Sequence, residues 1–67
     1  MVGLMRTAIV RDFPKRFANE NEAEEFANEV GGTVCHLLKQ STGLQCTFGY
    51  GIELNGTVVG SDDYVFI

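Results

Sequence analysis

The sequence is short of basic residues and of long apolar runs. Lys and Arg supply only 5 of its 67 residues, against 9 Asp and Glu, so the net charge is −4. An acidic balance of this kind disfavours a broad electrostatic grip on a phosphate backbone. No apolar stretch approaches the roughly 18 residues that a membrane-spanning helix requires. The composition therefore argues against a general nucleic-acid-binding protein and against a membrane protein.

Side chains that bind metals or perform catalysis are also scarce, since the chain has two cysteines and one histidine. Cys35 and His36 are adjacent on a predicted strand, so they point to opposite faces and cannot bind one ion together. No nucleophile elbow, phosphate loop or zinc spacing is present. We expect no metal, no cofactor and no catalytic residue, and the protein is predicted not to be an enzyme.

The N-terminal residues give no sign of secretion. The start, MVGLMRTAIV, has one arginine after its apolar residues and no cleavage-site pattern. Together with the low cysteine content, this favours the reducing cytoplasm as the location.

Residues from about 20 to 30 predict an amphipathic helix. Asn19 and Glu22 have the spacing of a capping box, and Gly31 supplies a left-handed stop. An apolar stripe at i, i+3, i+4 and i+7 consists of Ala23, Phe26, Ala27 and Val30. The opposite face of the helix is strongly acidic.

Strands are predicted on both sides of this helix. They cover residues 4–11, 33–39, 44–54 and 64–67, with a short returning strand at 16–18, a turn at 40–43 and a hairpin turn at Asn55-Gly56. Residues 44–54 alternate, so one strand face is apolar and predicted to be core. The other face contains Gln45, Thr47, Gly49, Gly51 and Glu53, and it is expected to be open to water or to a partner.

One helix must then cover one sheet. We predict a single two-layer α+β domain over residues 1–67. One amphipathic helix packs on an antiparallel sheet of four to five strands, in the order β-α-β-β-β.

Two surfaces are candidates for binding a partner. The first is the acidic helix face, represented by Glu24, Glu25 and Glu29. It is interpreted either as a docking surface for a basic groove or as a solvated surface that keeps a small protein soluble. The second is an exposed apolar patch of Val58, Val65 and Ile67, because the last strand is apolar on both faces and the chain has no second helix to cover it.

The length, the acidity and the missing catalytic set indicate a binding protein. In format the chain resembles the small proteins with which phages and mobile elements disable host machinery. We expect a non-enzymatic module that inhibits or modulates a larger protein by occupying its surface. The alternatives are a self-associating homodimer and a weak single-stranded nucleic-acid binder that stacks bases on Tyr50 or Tyr64.

Overall fold

One helix packs on a five-stranded sheet in the computed structural model, which describes residues 5–67. The elements are β1 (Thr7–Val10), α1 (Glu20–Val30), β2 (Thr33–Ser41), β3 (Leu44–Leu54), β4 (Thr57–Val58) and β5 (Tyr64–Phe66). No helix in this part of the chain is long and apolar enough to cross a membrane. The predicted α+β class and the helix at 20–30 are confirmed.

The sheet is mixed, whereas the sequence predicted an antiparallel one. The strand order is β4-β3-β2-β1-β5, and every neighbouring pair is antiparallel except β1 and β2. These two strands are joined by α1, and a crossover helix returns the chain to the same end of the sheet from which it left. The second strand must therefore run parallel to the first.

Local sequence signals explain both ends of α1. The Asn19 side-chain oxygen accepts from the Glu22 amide at 2.9 Å, and the Asn19 side-chain amide donates to the Glu22 carboxylate at 3.2 Å. Gly31 ends the helix in the left-handed conformation, with φ of 77°. Of the apolar stripe, Ala23 and Ala27 are buried, but Val30 is 40% exposed.

The core beneath the helix contains residues of α1, β2 and β3. Ala23 and Ala27 pack against Val34 of β2 and Ile52 of β3. Phe17, Phe26, Tyr50, Met5 and Val59 surround this cluster. The helix therefore covers the end of the β2–β3 hairpin that lies farthest from its turn.

A second core lies on the other face of the sheet. The sheet curls until its two edge strands approach, so that Tyr64 of β5 donates a hydrogen bond from its hydroxyl to the Gly56 carbonyl at 3.3 Å. The cluster enclosed by this curl comprises Ala8, Val10, Cys35, Leu37 and Val58, flanked by Phe48, Tyr64 and Phe66. Val58 is 0% exposed, so its assignment to an exposed patch was wrong. The curl therefore encloses the sheet face opposite α1 without a second helix.

The β2–β3 register differs from the sequence prediction. The turn is only Thr42-Gly43, with φ of 49° and 82°, so the ladder continues to Ser41 and Leu44. A β-bulge then leaves Phe48 without a partner between the pairs of Leu38 and Leu37. Phe48 consequently packs in the inner cluster, while Tyr50 and Ile52 stay on the helix side. The predicted single apolar face of residues 44–54 is therefore divided between two cores.

Two glycines of β3 lie where other segments of the chain come close to the β3 backbone. A Cβ on Gly51 would lie 2.9 Å from both methyl carbons of Leu37. At Gly49 it would lie 2.8 Å from the carbonyl oxygen of Phe17, which is paired with Tyr50 in an isolated bridge. The glycine-containing face was expected to be open at these positions, and that expectation was wrong. The short strand predicted at 16–18 is reduced to this one bridge.

Candidate protein-interaction surfaces

The outer face of α1 is strongly acidic, with Asn21 and Asn28 lying between its glutamates. All five of its glutamates are exposed, namely Glu20, Glu22, Glu24, Glu25 and Glu29. Two ion pairs form within residues 5–67, and neither includes a helix glutamate. We call these five residues the acidic helix face.

No basic side chain within residues 5–67 forms an ion pair with the acidic helix face. Arg11 pairs with Asp63 at 3.1 Å, and Arg6 pairs with the largely buried carboxylate of Glu53. Cation–ring contacts join Arg6 to Phe66 at 3.9 Å, Lys15 to Phe26 at 5.1 Å and Phe17 at 5.4 Å, Arg16 to Phe48 at 5.1 Å and Lys39 to Phe13 at 4.8 Å. Lys15 thus contacts α1 at Phe26 and at no glutamate of the acidic helix face.

This arrangement weakens the helix slightly. Glu25 and Glu29 are like charges at i, i+4, a spacing at which they repel. Glu29 also lies in the last turn, where the helix dipole disfavours an anion, and that turn contains no basic residue. Each effect amounts to a few tenths of a kcal/mol. The stability of the fold alone gives no reason for this placement.

Only part of the second predicted surface is exposed, and this part lies at β5. Val65 is 46% exposed and Ile67 is 69% exposed, whereas Val58 belongs to the inner core. Tyr64 and Phe66 alternate with them along the strand and are half-buried against the same inner core. An exposed apolar patch of two residues therefore remains at the edge of the sheet.

A hydrogen-bonded cluster joins the end of β1 to the loop before β5. The Ser61 hydroxyl donates to the Asp12 carboxylate at 2.5 Å, and the Asp62 amide donates to its other oxygen at 2.8 Å. These bonds, that of Ser61 first, lower the pKa of Asp12. A carboxylate held in this way fixes the loop and leaves Ser61 acting as a donor, which is a structural role.

The two thiols differ sharply in accessibility. Cys35 is fully buried in the inner core, and burial raises the pKa of its thiol to about 11, with a further contribution from the Glu53 charge. Cys46 is exposed on β3.

His36 lies against the Tyr50 ring, with 5.2 Å between the ring centroids. Within residues 5–67 no group of three or more ligating side chains could hold a metal ion.

We expect one thiol to react in the native protein and the other only after unfolding. The thiolate is the nucleophile, so a buried thiol with a raised pKa resists modification at pH 8. Titration with a chromogenic disulfide should show one fast equivalent from Cys46 and a second released by denaturant. Cys46→Ser should remove the fast equivalent. Two fast equivalents in the unmodified protein would show that Cys35 is not enclosed.

No protein-family model, curated protein or solved structure matches this chain. Its surface chemistry is therefore the basis for proposing a function.

Proposed function

We propose that the protein is a non-enzymatic binding module that inhibits or modulates a larger protein by docking its acidic helix face on a basic surface. The observation that carries the proposal is the uncompensated charge of α1. Five exposed glutamates lie within ten positions, and no basic side chain within residues 5–67 forms an ion pair with any of them. A partner with a positive groove would supply the missing counter-charge.

The spacing of these charges supports a nucleic-acid-binding groove as the target. At a rise of about 1.5 Å per residue, the helix presents roughly one carboxylate per 3 Å of its axis. A single strand of DNA carries one phosphate per about 3.4 Å. The acidic helix face thus approximates the charge density of one nucleic-acid strand, and a channel built for phosphates would attract it.

The same charge distribution favours a protein partner over a nucleic acid. A nucleic-acid binder needs free cations beside accessible aromatic faces. Here Arg6, Lys15 and Arg16 lie over rings of the same chain. The Tyr50 ring lies tilted against His36, and Tyr64 is half-buried beside Phe66. Neither tyrosine offers a free platform for a base.

The test replaces Glu24, Glu25 and Glu29 by Gln. The fold should be preserved, because the three side chains are exposed and make no ion pair within the described residues. Immobilised wild-type protein should retain a stoichiometric protein from lysate of the source host, and soluble DNA should displace it. The triple variant should retain at least about tenfold less of that protein, since it lacks the charges that attract the groove.

The control is Asp62→Asn with Asp63→Asn, which removes two acidic charges away from the helix, one fewer than the triple variant, and breaks an exposed ion pair of small energetic value. This variant should retain the partner. Equal retention by the triple variant would identify the acidic helix face as a merely solubilising surface. Failure of the wild-type protein to retain any stoichiometric protein would contradict the proposal as a whole.

A further inference from the structure

Although the sheet curls, β5 forms no ladder with β4, so one edge of the sheet is unpaired along β5. The Arg11 amide donates to the Asp63 carbonyl at 3.1 Å, and the Ile67 amide donates to the Thr7 carbonyl at 2.9 Å. In an antiparallel ladder, alternate residues bond to the same neighbour, so residues 63, 65 and 67 face β1. Tyr64 and Phe66 therefore direct their backbone N–H and C=O groups away from β1, and nothing within residues 5–67 bonds to them.

This edge is protected only by its shortness, three residues, and lacks the other features that usually prevent strands from pairing. Exposed edges are commonly protected by a lysine, a proline or a bulge. β5 reads Tyr64-Val65-Phe66 and contains none of these. Its exposed side chains are instead Val65 and, directly after it, Ile67. The unpaired backbone groups and the exposed apolar side chains together make this edge able to pair with another strand.

We infer that β5 pairs antiparallel with β5 of a second copy of this chain, about a two-fold axis through Val65. Tyr64 then lies opposite Phe66 of the second copy, and the reverse pair follows by symmetry. Each pair exchanges two backbone hydrogen bonds, which gives four in all. Val65 faces Val65 of the second copy at a non-hydrogen-bonded position, where side chains approach most closely.

Two properties of the strand favour a second copy as the occupant. An antiparallel edge centred on one residue is self-complementary, as a two-fold interface requires. The strand is also charged unequally: Asp62, which forms no ion pair within residues 5–67, and Asp63, paired with Arg11, precede it, whereas Arg6, paired with Glu53, lies over the Phe66 ring at its other end. Antiparallel pairing brings the acidic end of one strand beside the Arg6 end of the other, whereas parallel pairing would bring the two acidic ends together.

The symmetry has a consequence for the acidic helices. A two-fold axis that relates two antiparallel neighbours is perpendicular to the sheet, so each face of one copy continues into the same face of the other. The five-stranded sheets join into one of ten strands, and both α1 helices lie on the same side. The dimer would present two acidic helix faces to one partner, although its formation does not depend on that partner.

The test uses the register of the proposed pair. Val65→Lys and Val65→Glu each place like charges opposite one another across the axis, so each variant alone should be a monomer. Mixed in equal amounts they should form a heterodimer, because Lys then faces Glu. The matched control is Val30→Lys, a similarly exposed valine at the end of α1. Sedimentation from about 10 to 500 μM, a range that brackets weak dimers, gives the mass of each sample.

The unmodified protein and Val30→Lys should approach twice the monomer mass as concentration rises. Over the same range, hydrogen exchange at the Tyr64 and Phe66 amides should slow at least about tenfold, while exchange at the Thr57 amide, in the opposite edge strand β4, should not change. The exchange experiment decides the matter even if the charged variants fail to fold. A monomeric unmodified protein at all concentrations would overturn the inference. So would dimers of Val65→Lys and Val65→Glu that match the unmodified protein.

Discussion

Leu37→Ala is expected to lower the free energy of unfolding by about 3 to 5 kcal/mol, which for so small a domain is most of its stability. Leu37 is fully buried in the inner core, and its methyl groups lie against the bare backbone of Gly51. Truncation removes apolar contacts and leaves a cavity that a curled sheet cannot easily close. Urea unfolding followed by circular dichroism measures the loss.

The control for this substitution is Leu44→Ala, at a leucine that is 67% exposed beside the hairpin turn. Its free energy of unfolding should stay within about 0.5 kcal/mol of the parent. Similar losses at the two positions would mean that the sheet does not curl around Leu37 and that the second core does not exist.

Gly49→Ala should cost about 3 kcal/mol or more. Gly49 has φ of 134°, a conformation essentially restricted to glycine. An alanine held in this conformation would strain the backbone by roughly 1 to 3 kcal/mol. The added Cβ would also lie 2.8 Å from the Phe17 carbonyl oxygen. That oxygen accepts from the Tyr50 amide at 3.0 Å, so relief of the contact would cost a hydrogen bond worth about 1 kcal/mol.

Gly43→Ala separates the two causes of this loss. Gly43 also has a positive φ, 82°, but a Cβ there would meet nothing within 4 Å. Its substitution should cost only the left-handed strain of about 1 to 2 kcal/mol. Exchange at the Tyr50 amide should accelerate in Gly49→Ala and stay unchanged in Gly43→Ala. Equal costs with no change at Tyr50 would refute the close approach of the Phe17 segment.

Those parts of the fold with local causes could be predicted from the sequence. The Asn19 cap and the Gly31 stop place α1, and Asn55-Gly56 places its turn, with φ of 55° and 79°. In each case one or two residues determine the backbone conformation directly. The apolar period of 3.6 residues likewise identified the buried side of the helix.

The parts with non-local causes could not be predicted. The bulge at Phe48 depends on how β3 meets β2. The adjacent Gly49 is a residue type that often marks a bulge, but the alternating pattern of residues 44–54 shows no break there. The curl that buries Val58 depends on contacts between β4 and β5, the two edge strands of the sheet. The last strand is apolar on both faces, which indicated that a second surface of the sheet is covered. The structure shows that the curled sheet itself covers this surface.

The same distinction between local and non-local causes applies to the candidate surfaces. The exposure of Glu24, Glu25 and Glu29 followed from helical periodicity and is confirmed. Val65 and Ile67 are exposed as expected, because odd positions of β5 point away from the inner core. The stacking of the basic side chains on aromatic rings joins residues far apart in sequence, such as Arg6 and Phe66, and had no detectable sequence signal.

The most direct test of an acidic docking face is the association rate constant with the captured partner. It should be measured for two variants of equal net charge, Glu24→Gln with Glu25→Gln and Asp62→Asn with Asp63→Asn. At low salt the helix variant should associate about tenfold more slowly than the parent, and the difference should shrink as salt is raised. The loop variant should stay within about twofold of the parent. Equal slowing of both variants, or of neither, would contradict docking through α1.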